Sequence, residues 1–592
     1  MSLKLANSAS LRQWMIDDDD SGNNSDSNKD NKEGQGQQQQ QQPPSSIQVL
    51  LLDGGVSTHL EELQKCHHYH SCTTSLPSST SSSTSSSPSP PPPPPSFQYR
   101  SLWSSSLLLS TRGQNDIQTS HETFYNSGCD IISTVTYQLS HYICNGTEAE
   151  TEIEAATETG GAGAGDNDDN DGNYNNNTSP HPNLTKGDVD ALLQLGVQLA
   201  HETRIKVIHQ RTRQQQHEQQ QLPPALPPSS SLSFPQNKSL YVVASIGCYG
   251  AALADGSEYN GDYGNGNGND NDNGISLEEL MTFHRRRFNV FMDLNSNSSS
   301  SNNDNDNDGN GNVDKKKCNN NNDLKETKMN ANSKLDGIAF ETVPSLLEVE
   351  AIVNVVKERK EMKENKNKMM VSNSSRSSRT RGCSCEDEDD DDDDNNNDED
   401  DNDDVAIWIS LACKDDQTLN DGTLLTEVLD TIDRLDCGTS TCNDNDNDNE
   451  PLIHGIGVNC FDIQHAKSLT SIIASHQIKS KSKSQWNRAI VFYPNSGEEW
   501  DAANETWLEG SGCSDPNEFA EHVVDAIRSV KALFDIDLDH DQNANANANA
   551  NAGGKGQRQR KCKIIVGGCC RTSPATIQCM RNSVDMYLKD FQ

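Results

Sequence analysis

The sequence predicts a closed (β/α)8 barrel, a TIM barrel interrupted by long low-complexity disordered insertions. Three observations predict it. Eight short apolar or β-branched runs can be marked along the chain, and each is followed by a helical pattern. Most of the runs are apolar on both faces, as strands of a parallel sheet covered by helices must be. The polar bulk is confined to tracts between these elements. Six of them, at about 210–237, 295–333, 361–404, 438–450, 478–485 and 541–560, fall between a helix and the next strand, which in a barrel is the face away from the active site. Three more, at about 66–97, 148–182 and 260–274, follow a strand and would border the mouth. An open doubly wound sheet is the alternative fold. The Gly-x-Gly runs near 264–268 do not support it, because they lie inside a tract and not between a strand and a helix.

Taken in order, residues 1–46 read as a disordered tail, acidic and Gln-rich from 17 onward, and 47–592 as a single barrel domain carrying the insertions. The first strand, 47–52, ends in Asp53-Gly54-Gly55, with a helical piece at 58–64. Segments 102–109 and 116–127 read as helical, and 129–138, rich in β-branched residues, as the second strand. An amphipathic helix over 188–208 sets Leu192, Leu193, Val197 and Leu199 on or near one face. Strand three spans 241–247. Ser276 caps a helix running to about 294, strand four spans 335–342, and a helix from Pro344 reaches about 359. Strand five (405–410), a helix (424–435), strand six (454–460), a helix (464–476) and strand seven (489–495) follow. Asp515 caps a helix reaching 534, strand eight spans 563–566, and Pro574 opens the last helix.

Composition narrows the function. Hydrophobic residues make up 31% of 592, aromatics 5%, and the formal net charge is −41. These averages border on the disordered class because they mix tracts with ordinary globular sequence. The acidic charge sits in tracts such as 386–404 and reads as solvating charge. It argues against nucleic acid, which needs basic patches. No run reaches the length of a membrane span, and the N-terminus lacks a signal-peptide core. The 17 cysteines follow no framework spacing, so a reducing, cytoplasmic setting is expected.

The chemistry concentrates in Val566-Gly567-Gly568-Cys569-Cys570-Arg571-Thr572. Glycines there permit a sharp turn and close approach, and vicinal cysteines at a strand end suit metal ligation better than a strained bridge to each other. Cys460, at the end of strand six, would meet them only in a folded barrel. Three thiolates with an open fourth position make a catalytic zinc arrangement. The plainer reading is three small core residues. A net-negative three-thiolate zinc is a weak Lewis acid for water and a good binder of another thiol, which it would deprotonate and keep nucleophilic for alkyl transfer.

Several motifs then stand in order. Asp53-Gly54-Gly55, Ser245-Ile246-Gly247-x-Tyr249-Gly250, Ala254-Asp255-Gly256-Ser257-Glu258-Tyr259, Phe340-Glu341-Thr342-Val343-Pro344, Val458-Asn459-Cys460, Tyr493-Pro494-Asn495-Ser496-Gly497 and Gly567-Gly568-Cys569-Cys570-Arg571-Thr572 together resemble the homocysteine S-methyltransferases, from about residue 47 to 580. The long 254–259 motif is most similar to the branch using S-methylmethionine or S-adenosylmethionine. The resemblance implies a (β/α)8 barrel with one zinc ion, Zn(2+), held by Cys460, Cys569 and Cys570, and homocysteine supplying a fourth sulfur. It implies that Glu341 binds the homocysteine ammonium and that Asp53, Gly54 and Thr134 make other substrate contacts. Read alone, Glu341 is an acid favoured by the following helix dipole, and Asp53 a turn residue. A betaine donor, a related thiol or selenol acceptor, and a non-catalytic zinc protein whose tracts drive association are the alternatives. No further globular segment remains to bind a corrin. Cys248 stands where a proline is common, an inert thiol or, near the mouth, an oxidisable one. His284-Arg285-Arg286-Arg287 also fits the family, with no role readable from sequence.

Overall fold

A computed structural model describes residues 10–16, 47–73, 102–144, 184–221, 239–264, 274–296, 335–377, 404–436, 450–479, 488–498, 500–501, 506–508, 510–546 and 562–590. Eight parallel strands form one sheet: β1 (Ile47–Leu51), β2 (Ile131–Ser133), β3 (Tyr241–Gly247), β4 (Gly337–Val343), β5 (Ala406–Leu411), β6 (Gly455–Asp462), β7 (Ala489–Asn495) and β10 (Cys562–Val566). The order β1-β10-β7-β6-β5-β4-β3-β2 is that of a barrel opened between its first two strands. The seam closes by other means. Leu52 bridges Ile131, the Asp130 N–H donates to the Leu51 carbonyl at 2.7 Å, and the Leu51 N–H donates to the Asp130 carboxylate at 2.8 Å. The chain is a (β/α)8 barrel, as predicted.

Helices α2 (Val56–Thr73), α3 (Thr111–Asn126), α4 (Lys186–Gln221), α5 (Tyr249–Leu253), α6 (Leu277–Ser296), α7 (Leu346–Ser377), α8 (Leu425–Asp436), α9 (Ala466–Lys479), α10 (Pro516–Ala546) and α11 (Pro574–Lys589) connect or follow the strands. The outer core lies between these helices and the sheet, and Leu192, Leu193, Val197 and Leu199 are all buried in it. A second apolar cluster fills the barrel interior, with Tyr241, Val243, Ala339, Ala406, Trp408, Val491 and Ile565. It is a packed core and not a channel, as side chains projecting inward from a ring of eight strands require.

The structure departs from the sequence reading in several places. The second strand is not ten residues long but three. Beyond Ser133 the side chains take over from the ladder: the Ser245 N–H donates to Thr134 Oγ1 at 3.1 Å, and Thr136 Oγ1 donates to the Ser245 carbonyl at 2.7 Å. The segment 102–109 is a 3-10 helix, Trp103–Leu109. An unforeseen two-stranded ribbon, β8 (Trp500–Asp501) and β9 (Thr506–Trp507), follows β7.

The tail expected over 1–46 is not tail throughout. Its residues 17–46 lie outside the described residues, but α1 (Leu11–Ile16) caps the N-terminal end of the barrel. Leu11 and Met15 are fully buried in the interior cluster. They lie against the first residues of two strands: a Cβ at Gly337 would stand 3.3 Å from Leu11 Cδ2, and one at Gly455 would stand 2.6 Å from Met15 Cε. Arg12 Nε donates to His454 Nε2 at 3.3 Å, Arg12 Nη2 reaches Glu450 at 2.5 Å, and Ser10 Oγ donates to Asp404 at 2.6 Å.

Of the expected insertions, those at about 148–182, 295–333, 438–450 and 478–485 lie wholly or almost wholly outside the described residues. Four others begin inside helices. α2, α4, α7 and α10 run on into 66–73, 210–221, 361–377 and 541–546. In α4, α7 and α10, Gln-, Lys-, Glu- or Ala-containing sequence propagates a helix that packing has already nucleated, with no apolar face needed. At about 260–274, residues 260–264 and 274 are described and form no helix.

One buried titratable group marks a stability liability. His121, on α3, is fully buried and neither ring nitrogen has a hydrogen-bond partner among the described residues. Burial pushes its pKa down from 6.5 to about 4. The unfolded chain therefore takes up the proton first as pH falls below 6.5, and stability is lost progressively down to pH 4. Relative to His121→Leu, the wild type is expected to lose about 3 kcal/mol over that window in urea melts, and nothing between pH 7 and 8.

Candidate active site

The seven residues singled out in the sequence, Asp53, Gly54, Thr134, Glu341, Cys460, Cys569 and Cys570, all line one cavity at the C-terminal end of the barrel. The three thiols come from two strands separated by β7. Their sulfur atoms lie within 4.8 Å of one another, with Cys460 and Cys570 4.0 Å apart.

The local backbone is shaped to bring them there. Cys460 sits at a register shift in the β6–β7 pairing, between Asn459 and Asp462, with a left-handed φ of 55°. Thr342 at the end of β4 (φ 60°) and Arg571 after the cysteine pair (φ 65°) are left-handed too. Non-glycine residues there cost about 1–3 kcal/mol each and persist only when their surroundings fix them. Here the Asn459 amide does so for β4, accepting from the Thr342 N–H and donating to Thr342 Oγ1, each at 2.8 Å. Behind the cysteine pair, Thr572 Oγ1 donates to the Cys569 carbonyl at 2.6 Å and accepts from the Gly55 N–H at 2.8 Å, tying the β1 and β10 loops together. A Cβ at Gly568 would stand 2.2 Å from that hydroxyl, so only glycine fits. Close approach, and not a left-handed φ, is the reason for this glycine.

The thiols share charge. Hydrogen bonds from Cys460 and then Cys569 hold Cys570 well below the ordinary thiol range. Cys460 is held well above it by its bonds to Cys569 and Cys570 and by burial. Cys569 is raised as well, its bond with Cys460 pulling down less than Cys570 and burial push up. Three sulfurs this close suit a soft or borderline cation that displaces the thiol protons. The all-sulfur donor set fits zinc and not magnesium or calcium.

Two carboxyl groups face the same cavity. Asp53 accepts from the Ser133 N–H at 2.8 Å and from Ser133 Oγ at 2.9 Å, and burial, with Glu341 adding repulsion, raises its pKa to about 8 despite these bonds. Glu341 accepts from Ser245 Oγ and, at 2.9 Å, from the Tyr493 hydroxyl, and burial raises it too. Thr134 is buried, and its hydroxyl is engaged by the Ser245 N–H and Thr136 Oγ1.

The sequence reading passed over Glu258, Tyr259, Tyr137 and Trp103, which also line the cavity. Glu258 is buried, its carboxyl raised chiefly by that burial, with the Tyr137 hydroxyl 3.4 Å away. An acid inside the 254–259 motif was its available signal. Trp103, on a 3-10 helix between tracts, had none. Cys248 is buried and its thiol is pushed well above the ordinary range, first by desolvation, which favours the inert thiol over the oxidisable one. The basic quartet also resolves. His284 and Arg287 are buried, with His284 Nε2 2.8 Å from Glu348 Oε1, and that oxygen accepts from the Tyr249 N–H at 2.7 Å. Arg287 Nη2 donates to the Gly247 carbonyl at 3.0 Å. The pair thus holds the start of the loop that carries Glu258. Arg285 and Arg286 make surface ion pairs with Glu358 and Asp190.

The family model described as homocysteine S-methyltransferase matches residues 50–584. The chain belongs to this family. Its relatives include homocysteine S-methyltransferase 1 of Arabidopsis thaliana, 25% identical over 353 residues, which are 60% of this chain and 62% of that one. Homocysteine S-methyltransferase 2 of the same plant is 22% identical over 481 residues, 81% and 84% of the two chains. The Bacillus subtilis homocysteine S-methyltransferase YbgG is 24% identical over 337 residues, 57% and 59%. The alignment thus spans less than two thirds of the first and third of these relatives. Among solved structures, the metallated form of the homocysteine methyltransferase MmuM from Escherichia coli aligns over 90% of this chain and 96% of its own, at 17% identity and a TM-score of 0.41. Among the described residues, no helix is long and apolar enough to cross a membrane.

Proposed function

We propose that this protein moves a methyl group from a sulfonium donor, S-methylmethionine or S-adenosylmethionine, to the thiol of homocysteine, giving methionine. The observation that carries the reading is the meeting of three thiols from β6 and β10 at one cavity with two buried carboxyl groups. Cys460, Cys569 and Cys570 would hold zinc, whose contribution when bound is to lower the pKa of the substrate thiol. The rest falls to the chain's own side chains. Glu341, fixed by Ser245 and Tyr493, receives the homocysteine ammonium, and Asp53 and Gly54 border the same group. The electron pair of the attacking sulfur forms the new S–CH3 bond as the donor's S–CH3 bond breaks, and the donor leaves as a neutral thioether. No general base acts on the methyl, so alignment of the two sulfurs carries the rate. Glu258 adds negative charge to a cavity whose donor is cationic. The 47–592 region works as one domain in this reading. The absence of any disulfide among the described cysteines suits a reducing, cytoplasmic setting.

Homocysteine-dependent methyl transfer measured with S-methylmethionine, S-adenosylmethionine and betaine tests the donor class. Turnover with betaine alone would overturn it. Glu341→Gln is expected to raise KM for homocysteine about tenfold to a hundredfold, the worth of one charged hydrogen bond, with a smaller change in kcat. An unchanged KM would remove Glu341 from ammonium binding.

A further inference from the structure

A second set of metal-type donors lies outside the cavity. Cys513 ends the connection from β7 to α10, and Glu518 and His522 follow four residues apart on α10, on one face of the helix. The Cys513 sulfur, a Glu518 carboxylate oxygen and a His522 ring nitrogen all lie within 4.8 Å of one another. Cys513 is buried in the outer core, His522 is half-buried and Glu518 is exposed, so the group opens to solvent on one side. We propose that Cys513, Glu518 and His522 form a second divalent-cation site, of the zinc type, with water completing the coordination.

The donor chemistry selects the cation. One thiolate, one imidazole and one carboxylate suit zinc and exclude magnesium and calcium, which take oxygen. The N-terminal end of a helix is a poor place for a cation, but here that end is already answered. Asp515 Oδ1 accepts from the Asn517 N–H at 2.7 Å and the Glu518 N–H at 3.2 Å, and Asp515 and Glu518 bring negative charge to the same turn.

The placement gives the site a structural task. The Cys513 N–H donates to the Ser496 carbonyl at 2.7 Å, and the Ser496 N–H donates to the Cys570 carbonyl at 3.3 Å. A Cβ at Gly512 would stand 2.4 Å from the carbonyl carbon of Gly497, so the two loop segments are pressed together. A cation on α10 would therefore brace the backbone behind Cys570 without touching substrate.

Full-length wild type, His522→Ala and Cys569→Ser, each equilibrated with Zn2+ alone against a buffering chelator, provide the test. The acidic tracts are common to all three and cancel. Two equivalents per chain are expected for the wild type. His522→Ala should keep one and bind the second at least about tenfold more weakly, since even indirect partners of a ligand are worth that much. Cys569→Ser should lose the other equivalent and keep this one, which separates failure here from failure at the cavity. As a check independent of folding at position 522, Co2+ in Cys569→Ser should show a sulfur-to-metal charge-transfer band that His522→Ala in the same background weakens. Identical Zn2+ isotherms for wild type and His522→Ala, or no such band, would overturn the proposal.

Discussion

Cys569→Ser is expected to abolish both metal retention and methyl transfer while leaving the fold intact. The serine hydroxyl is nearly isosteric, and the tie that shapes the loop runs through the Cys569 carbonyl, not its sulfur. What changes is the donor set. Two thiols and a hydroxyl no longer make the soft, net-negative cluster that the close sulfur positions imply. Loss of metal assistance is worth several kcal/mol, so transfer should fall about a thousandfold or more. Zinc content, turnover and a thermal melt on the same sample check all three parts. A Cys569→Ser protein with full activity would sink the proposed mechanism, and so would a zinc-free wild type with full activity. Cys248→Ala is the matched control: its thiol is buried and is not part of the three-sulfur group, and metal content should not move.

The second large effect is expected far from this site. Replacing Leu11 and Met15 together with alanine should lower stability by about 4 kcal/mol or more, since each deletion of a fully buried side chain of this size costs about 2–5 kcal/mol and the two share one cavity. Against a total of about 5–15 kcal/mol for a typical domain, that is a large fraction. The measurement is the denaturant midpoint, with Arg12→Ala as a milder companion that removes the contacts to Glu450 and His454. An unshifted midpoint in the double variant would mean that α1 does not rest on the barrel in solution.

These two predictions mark where the sequence was legible. The barrel was, because apolar runs such as Ala406–Leu411 are buried on both faces and long enough to recognise. The cysteine triad was, because vicinal thiols after two glycines have few other uses at a strand end. α1 was not. It is six residues long, and the partners that bury Leu11 and Met15 are about 300 residues and more away along the chain, at Gly337, Ala406 and Gly455. No local pattern reveals such a contact. The short β2 escaped for a related reason: Thr134 and Thr136 are β-branched and read as strand, yet their hydroxyls replace the ladder they were expected to extend. The helix ends of α4, α7 and α10 were set too early because polar composition was read as the end of structure, whereas a nucleated helix continues through it. The buried pair His284 and Arg287 had no role readable in sequence because their partners, Glu348 and the Gly247 carbonyl, lie on other elements.

The pairing of β1 with β10 has a consequence for the order of events in the cell. Ile47 lies beside Cys562, so the ring cannot close until almost the whole of the sequence between them has left the ribosome. At roughly 5–20 residues per second, the first strand waits about half a minute to nearly two minutes for its partner. During that time the edges of β1 and β7 that receive β10 are unpaired, and α1 has no complete floor to dock against. The thiol pair arrives with the closing strand. Cys460, synthesised earlier, stands alone until then, so any metal held by the proposed triad would enter after synthesis and not during it.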